Sequence, residues 1–486
     1  MKKLKELLSD TLIYGISSVL ARFINYLLVP IHTKFFNTAQ YGVVSLVYAA
    51  IAFLNIVFTF GMESAYLRYA KDRERARTVF KTIQLALLAF ASLAALLLWF
   101  LAPLLMPLMS LDPSTKGIFL MMIGIIWFDT LSLVPFAELR LVRKSLLYAI
   151  VRFGHVLINV GLNLYLILHL ELGIEAVFIA NLVASGIITL IMWMFTARML
   201  GGSWSKPILK KALIFGLPFI PAGVGYVINE MIDRFFLGNY MSQSTVTELY
   251  GADLTPESIV GIYSACYKLS VFMLLLVQMF RMAWQPFFLR EADQPGAKKL
   301  YRDVFRYFNG IAGIFFLGVA LFVEQIVQIR IPFLDAYLVD KEFWLGLQIV
   351  PLLLIAYWFQ GWYMNFSAGI FIKEKTKVLP VITLIGAAVT ISANLLLIPY
   401  FGMMGAATAT LISYSLMAIL LYFKSVQVYP VNYQLSRALL MVIFGAACVL
   451  VQPLLADWLN AEWMSRFLLL TVGSAGMILL SIPDSK

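Results

Sequence analysis

The chain is a succession of apolar runs about twenty residues long, and that limits its fold more than any other feature. An α-helix needs ~20 apolar residues to cross the ~30 Å hydrocarbon core of a bilayer. Runs of that size fall at residues 11–31, 42–62, 83–106, 118–137, 150–169, 175–197, 211–232, 259–283, 307–327, 343–366, 378–398, 404–423, 438–455 and 464–482. Within lipid, every backbone N–H and C=O must be satisfied inside the segment, which a helix does. Charged residues make up only 13% of the chain, against ~25% in a soluble domain. The sequence predicts an all-α integral membrane protein with fourteen transmembrane helices.

The basic residues set an orientation. Counting those at span edges with the connection they adjoin, 29 of the 37 Lys and Arg lie on alternate connections that begin with the N-terminal one. Only 6 lie on the intervening connections. Positive residues accumulate on the cytoplasmic side, so the expectation is a multi-pass protein with both termini in the cytoplasm. This placement in short loops also accounts for the net charge of +11 without a nucleic-acid partner. Cys266 and Cys448 fall inside apolar runs and read as buried thiols, not as a disulfide framework. No cleaved signal peptide is expected, because the first run is too long for one and more membrane follows.

The chain also repeats itself. Leu12-Ile13-Tyr14-Gly15 matches Leu213-Ile214-Phe215-Gly216, and Lys34-Phe35-Phe36 matches Arg234-Phe235-Phe236. Lys144 to Asn163 aligns without a gap on Lys375 to Asn394. Spans 1–6 and 7–12 therefore read as two six-helix lobes of the same orientation, related by a pseudo-twofold axis along the membrane normal with a cavity between them. The expected divisions are 1–200, 201–425 and an extra helix pair at 426–486. The inner connections near Arg68–Lys81 and Arg290–Arg306 mix basic and aromatic residues and read as amphipathic surface helices.

Charges inside the spans are the candidates for function. Arg22, Asp129 and Lys268 each stand near mid-span, and Glu63 stands at the inner end of span 2. A guanidinium at the bilayer centre costs about 2.5–3.5 kcal/mol even on lenient scales, so a polar partner is required. Arg22 shares a helical stripe with Thr11, Gly15, Ser18 and Asn25; His155, Asn159 and Asn163 form another in span 5. Two readings stay open: Arg22 pairs with Asp129 or Glu63 and locks helices, or it faces a wet cavity and meets an anion. For the Asn and Thr stripes, helix–helix hydrogen bonds are the simpler role. Neither Arg22 nor Lys268 is duplicated in the other lobe, which suits a lopsided site between lobes. Pro218 and Pro221, with Gly223, read as a kink and a gate or hinge in span 7, and Asp233-Arg234 as a pair at its outer end. No GxxxxGK[ST], HExxH or GxSxG is present. No catalytic residue, metal or cofactor is therefore expected. Any energy source would be an H+ or Na+ gradient or the membrane potential, with Asp129 or Glu63 as the coupling acid.

The order of short motifs carries a resemblance. Asp10-Thr11-Leu12-Ile13-Tyr14-Gly15, Ala39-Gln40-Tyr41-Gly42, Phe60-Gly61-Met62-Glu63-Ser64-Ala65 and Asp233-Arg234-Phe235-Phe236 resemble the multidrug/oligosaccharidyl-lipid/polysaccharide (MOP) exporter superfamily. Within it the chain looks most like the bacterial polysaccharide (Wzx-like) flippases, near the lipid II flippases. The resemblance implies alternating access and transfer of an undecaprenyl-pyrophosphate-linked oligosaccharide across the inner membrane for cell-surface polysaccharide. It implies a non-enzymatic monomer among membrane lipids, with polysaccharide assembly proteins as possible partners. Alternatives are a lipid II flippase or a multidrug antiporter of the same fold, then a membrane glycosyltransferase or polymerase. Arg22 in span 1 favours an anion over an organic cation.

Overall fold

The computed structural model describes residues 26, 28–332 and 334–482. In chain order the helices are α1 (Val29–Phe35), α2 (Thr38–Thr59), α3 (Met62–Tyr69), α4 (Ala76–Leu108), α5 (Lys116–Leu141), α6 (Ser145–Leu168) and α7 (Glu175–Thr196). Then come α8 (Lys206–Gly216), α9 (Phe219–Tyr240), α10 (Gln243–Tyr250), α11 (Pro256–Glu291), α12 (Ala297–Ala320) and α13 (Val323–Val327). The last four are α14 (Val350–Ile372), α15 (Val378–Val428), α16 (Leu435–Leu459) and α17 (Glu462–Ser481). A small antiparallel pairing, β1 (Arg330–Ile331) with β2 (Ala336–Tyr337), sets Arg330 opposite Tyr337.

Among the described residues, twelve helical stretches are long and apolar enough to cross a membrane. Eleven carry one sequence-derived span each. The twelfth, the 51-residue α15, carries both 378–398 and 404–423. Unbroken, it would run ~75 Å, more than twice the hydrocarbon thickness. Gly402, at φ 51° and ψ −125°, breaks it into two arms. The Met403 N–H freed at the break donates to the Tyr250 hydroxyl at 2.8 Å. Burial holds that phenol above its ordinary pKa, so it stays a neutral hydroxyl. The remaining span, 11–31, lies mostly outside the described residues. Its described end opens α1 at Val29, with Pro30 in the first turn, where a missing N–H is no loss.

The expected surface helices at Arg68–Lys81 and Arg290–Arg306 are not separate elements. Arg68 lies in the last turn of α3, Arg77–Lys81 lies in the first two turns of α4, and α11 and α12 together take up most of 290–306. The amphipathic signal has another cause: Ala297, Tyr301, Phe305 and Phe308 of α12 are buried in the protein instead of facing lipid headgroups.

The chain forms two compact units. One runs to Asn239 and takes in Thr255–Gly261; the other comprises Tyr240–Leu254 and Ile262 onward. In the first, α5 packs on α4 and α7, and α6 on α7. In the second, α14 packs along α15, and α12 packs against α14, α16 and α17. There the fully buried Asn309 accepts from Trp358 Nε1 at 2.9 Å and Trp362 Nε1 at 2.6 Å, tying α12 to α14.

Two helix breaks in the first unit touch. Phe60 (φ 30°) and Gly61 (φ 71°) separate α2 from α3. Leu217-Pro218 separate α8 from α9, and Pro221 falls in the first turn of α9, so it starts a helix instead of kinking one. A Cβ on Gly61 would stand 2.9 Å from Gly216 Cα. Gly61→Ala therefore adds left-handed strain to overpacking and is expected to cost about 2–4 kcal/mol. Gly318→Ala, with nothing within 4 Å of the new methyl, is the control. Thermal unfolding in detergent should show a lower midpoint for the first variant and none for the second; equal midpoints would refute the close-contact account.

Candidate functional site

A polar network crosses the middle of the first unit. Asp129 of α5 accepts a hydrogen bond from Ser185 Oγ of α7 at 2.8 Å. His155 Nε2 of α6 lies 3.4 Å from the same hydroxyl, and Asn181 Oδ1 lies 3.5 Å from it. Asn181 Nδ2 in turn donates to the Tyr48 hydroxyl of α2 at 3.2 Å. Tyr48, Asp129, His155 and Ser185 stand about ten to thirteen residues from either end of their helices, or ~15–20 Å along the axes, which is mid-bilayer depth.

Small residues bring α5 and α7 close enough for this. Ala180, Ala184 and Gly186 are buried on α7. Thr189 Oγ1 donates to the Phe128 carbonyl at 2.9 Å. Close approach through small residues is the usual way to make polar contacts between membrane helices. Tyr48 is 36% exposed, so one end of the network opens outward while Ser185 is buried. Beside it, on α6, Asn163 Nδ2 donates to Asn159 Oδ1 at 2.7 Å, and His32 Nε2 lies 3.3 Å from Asn163 Oδ1. Arg152, about one turn before His155, lies over the Phe136 ring at 4.2 Å.

Chemically, the network presents one carboxylate to hydroxyl, amide and imidazole groups that both donate and accept. Such a site can take up and release a proton, or present several oxygens to a small hard cation. Among the described residues, no group of three or more His, Cys, Asp or Glu could hold a metal ion.

A second cluster lies at helix ends. Glu138 is buried and takes both guanidinium nitrogens of Arg73, at 2.6 and 3.1 Å, and the Tyr66 hydroxyl at 2.5 Å. Glu63, in the first turn of α3, pairs with Arg140 at the end of α5. Both guanidinium partners of this cluster were hidden from the sequence reading because they sit among the loop arginines.

The other sequence candidates fall as follows. Arg22, Ser18 and Asn25 lie outside the described residues. Lys268 is partly buried on α11. Asp233 and Arg234 are not at an exposed helix end: α9 continues to Tyr240, and both are buried. Arg234 Nη1 donates to Asp233 Oδ1 at 2.6 Å and to the Glu230 carbonyl at 2.5 Å, so the guanidinium is held along its own helix.

The family model for polysaccharide biosynthesis proteins matches residues 7–291, more than half of the chain. The chain belongs to that family. The matched region holds the whole Tyr48–Asp129–His155–Ser185 network. No curated protein matches in sequence. Solved structures share the fold of this polysaccharide biosynthesis protein. The lipid II flippase MurJ in an inward closed conformation is 16% identical with a TM-score of 0.67, over 96% of this chain and 98% of that one. An inward-facing multidrug resistance MATE transporter of the MOP superfamily is 15% identical with a TM-score of 0.62, over 86% and 94%. A mutant of the Vibrio cholerae MATE transporter VcmN is 16% identical with a TM-score of 0.57, over 87% and 97%. Family and fold together make this a multi-pass membrane protein of the polysaccharide biosynthesis family, with the fold of those solved structures.

Proposed function

We propose that the protein flips an undecaprenyl-pyrophosphate-linked oligosaccharide across the bacterial inner membrane by alternating access, for cell-surface polysaccharide. The family match to polysaccharide biosynthesis proteins carries this reading. It is supported by a fold shared with a lipid II flippase over 96% of the chain, which also keeps lipid II as the second reading. In this proposal the two six-helix lobes rock about a central site, with Arg22 and Lys268 as the cations that meet pyrophosphate. The break at Pro218 serves as hinge, and Asp129 couples transport to H+ or Na+. No bond is made or broken in the saccharide.

The deciding assay uses proteoliposomes loaded with a fluorescent lipid-linked oligosaccharide on one leaflet. Transfer to the other leaflet without new glycosidic bonds supports a flippase. Glycosidic product would indicate a polymerase, lipid II transfer alone a peptidoglycan role, and export of organic cations alone a multidrug antiporter.

The proposal also sets sidedness. With both termini cytoplasmic, a cysteine at the exposed Ser244 should react with an impermeant maleimide from outside, whereas one at the exposed Lys299 should not. The native Cys266 and Cys448 are buried, so background labelling is low. The opposite pattern would invert the topology.

A further inference from the structure

The second unit carries an apolar groove with a cationic end. Val381 and Ile385 of the first arm of α15 face Leu420 and Phe423 of the second arm, around a volume of about 320 Å³. That is within the range of small-molecule sites. Val381, Ile385 and Phe423 are exposed, on a helix whose arms are apolar enough to border lipid. Lys377 and Lys424 close one end of the groove. The two lysines meet there because the break at Gly402 folds the arms back on each other: one precedes the first turn of α15 and the other lies in its last turns. Both are exposed, and among the described residues neither is paired with an acid. Lys424 Nζ donates to Gln427 Oε1, 3.4 Å away on its own helix.

We propose that this groove is a binding site for an anionic phospholipid, with one acyl chain between the arms of α15 and the phosphate between Lys377 and Lys424. The two halves of the site match the two halves of that ligand. Apolar walls have no polar group for a peptide to satisfy, and two ammonium groups at a helix end, with no acid partner among the described residues, favour an anion at headgroup depth. Juxtamembrane lysines draw anionic lipid in this way. A second copy of the chain could fill the walls, but it would have to bring an acid to the lysines, whereas a phospholipid brings its own charge. The site is independent of what the protein carries. The sidedness proposed above assigns the lipid to the cytoplasmic leaflet.

The test is native mass spectrometry of the full chain, stripped of lipid in detergent and titrated with phosphatidylglycerol or phosphatidylcholine. One tightly held phosphatidylglycerol is expected, with phosphatidylcholine far weaker. Lys377→Gln with Lys424→Gln should weaken phosphatidylglycerol by about tenfold to thirtyfold. Ile385→Trp keeps both lysines but fills the groove, and should also lose the bound lipid at an unchanged melting temperature. Equal retention of the two lipids, or of phosphatidylglycerol by the double variant, would overturn the proposal. Full retention by Ile385→Trp would reduce the site to surface charge and overturn the groove. A change only in oligomeric state would assign the groove to a second copy, and retention of a polyprenyl pyrophosphate alone would assign it to the substrate.

Discussion

Asp129→Asn is expected to lower gradient-driven transport by about 5- to 150-fold, the span of a 1–3 kcal/mol coupling energy, while leaving the amount of folded protein unchanged. The asparagine keeps the size of the side chain and an oxygen that can still accept from Ser185 Oγ, now at 2.8 Å. What it loses is the ability to gain and lose a proton or to hold a cation by charge. A purely structural hydrogen bond would tolerate the exchange, so loss of transport with normal folding separates the two roles. The test measures driven uptake and substrate exchange without a gradient in the same vesicles; only the first should fall. His155→Ala and Ser185→Ala should give smaller losses, because they change the setting of the acid and not the acid. Glu63→Gln is the counterpart. Glu63 and Arg140 are both about one-third exposed, and such pairs contribute only about 0–1 kcal/mol. Transport near normal for Asp129→Asn would move coupling elsewhere in the chain.

The fold was legible to the degree that hydrophobic length decides it. The run at 118–137 lies inside α5 (Lys116–Leu141), and 175–197 is nearly α7 (Glu175–Thr196). Their apolar cores fix them, while α5 overruns its run at both ends by residues such as Lys116, Glu138 and Arg140 that hydropathy does not count. Breaks were harder to read. Gly61 and Gly402 take positive φ because the chain turns there, but a glycine in an apolar run has several uses and does not announce which. The site divides in the same way. Asp129 stands out in the sequence, since ionisable residues are rare at that depth, whereas His155 reads there only as one member of a polar stripe. Ser185 and Asn181 did not, because a lone small polar group barely alters hydropathy, and their significance lies in facing Asp129 across two helices. Glu138 was overlooked for the opposite reason: it sits in a stretch of ordinary loop charge, and only packing shows it buried under Tyr66 and Arg73.

Arg22→Ala is expected to cut flipping by about tenfold to a hundredfold, the loss of a charged hydrogen-bond pair worth about 1.5–3 kcal/mol. Arg22 falls outside the described residues. It stands about 16 Å into an apolar run, close to mid-bilayer, and shares a helical stripe with Ser18 and Asn25. A diphosphate crossing hydrocarbon must have its charge offset, and a guanidinium does so through two parallel hydrogen bonds. An ammonium supplies charge without the fork, so Arg22→Lys should keep only part of the activity. Lys268→Ala should do less harm, because Lys268 already is the point charge of the pair. The competing account makes Arg22 a lock for Asp129. It expects Arg22→Ala to lower the yield of folded protein, and Asp129→Asn in the same chain to restore both folding and transport. The proposal expects the reverse: normal yield for the single variant, and no rescue by the second change. Expression, melting temperature and flipping measured on Arg22→Ala, Asp129→Asn and the double variant distinguish the two, and full flipping by well-folded Arg22→Ala would remove Arg22 from the substrate site.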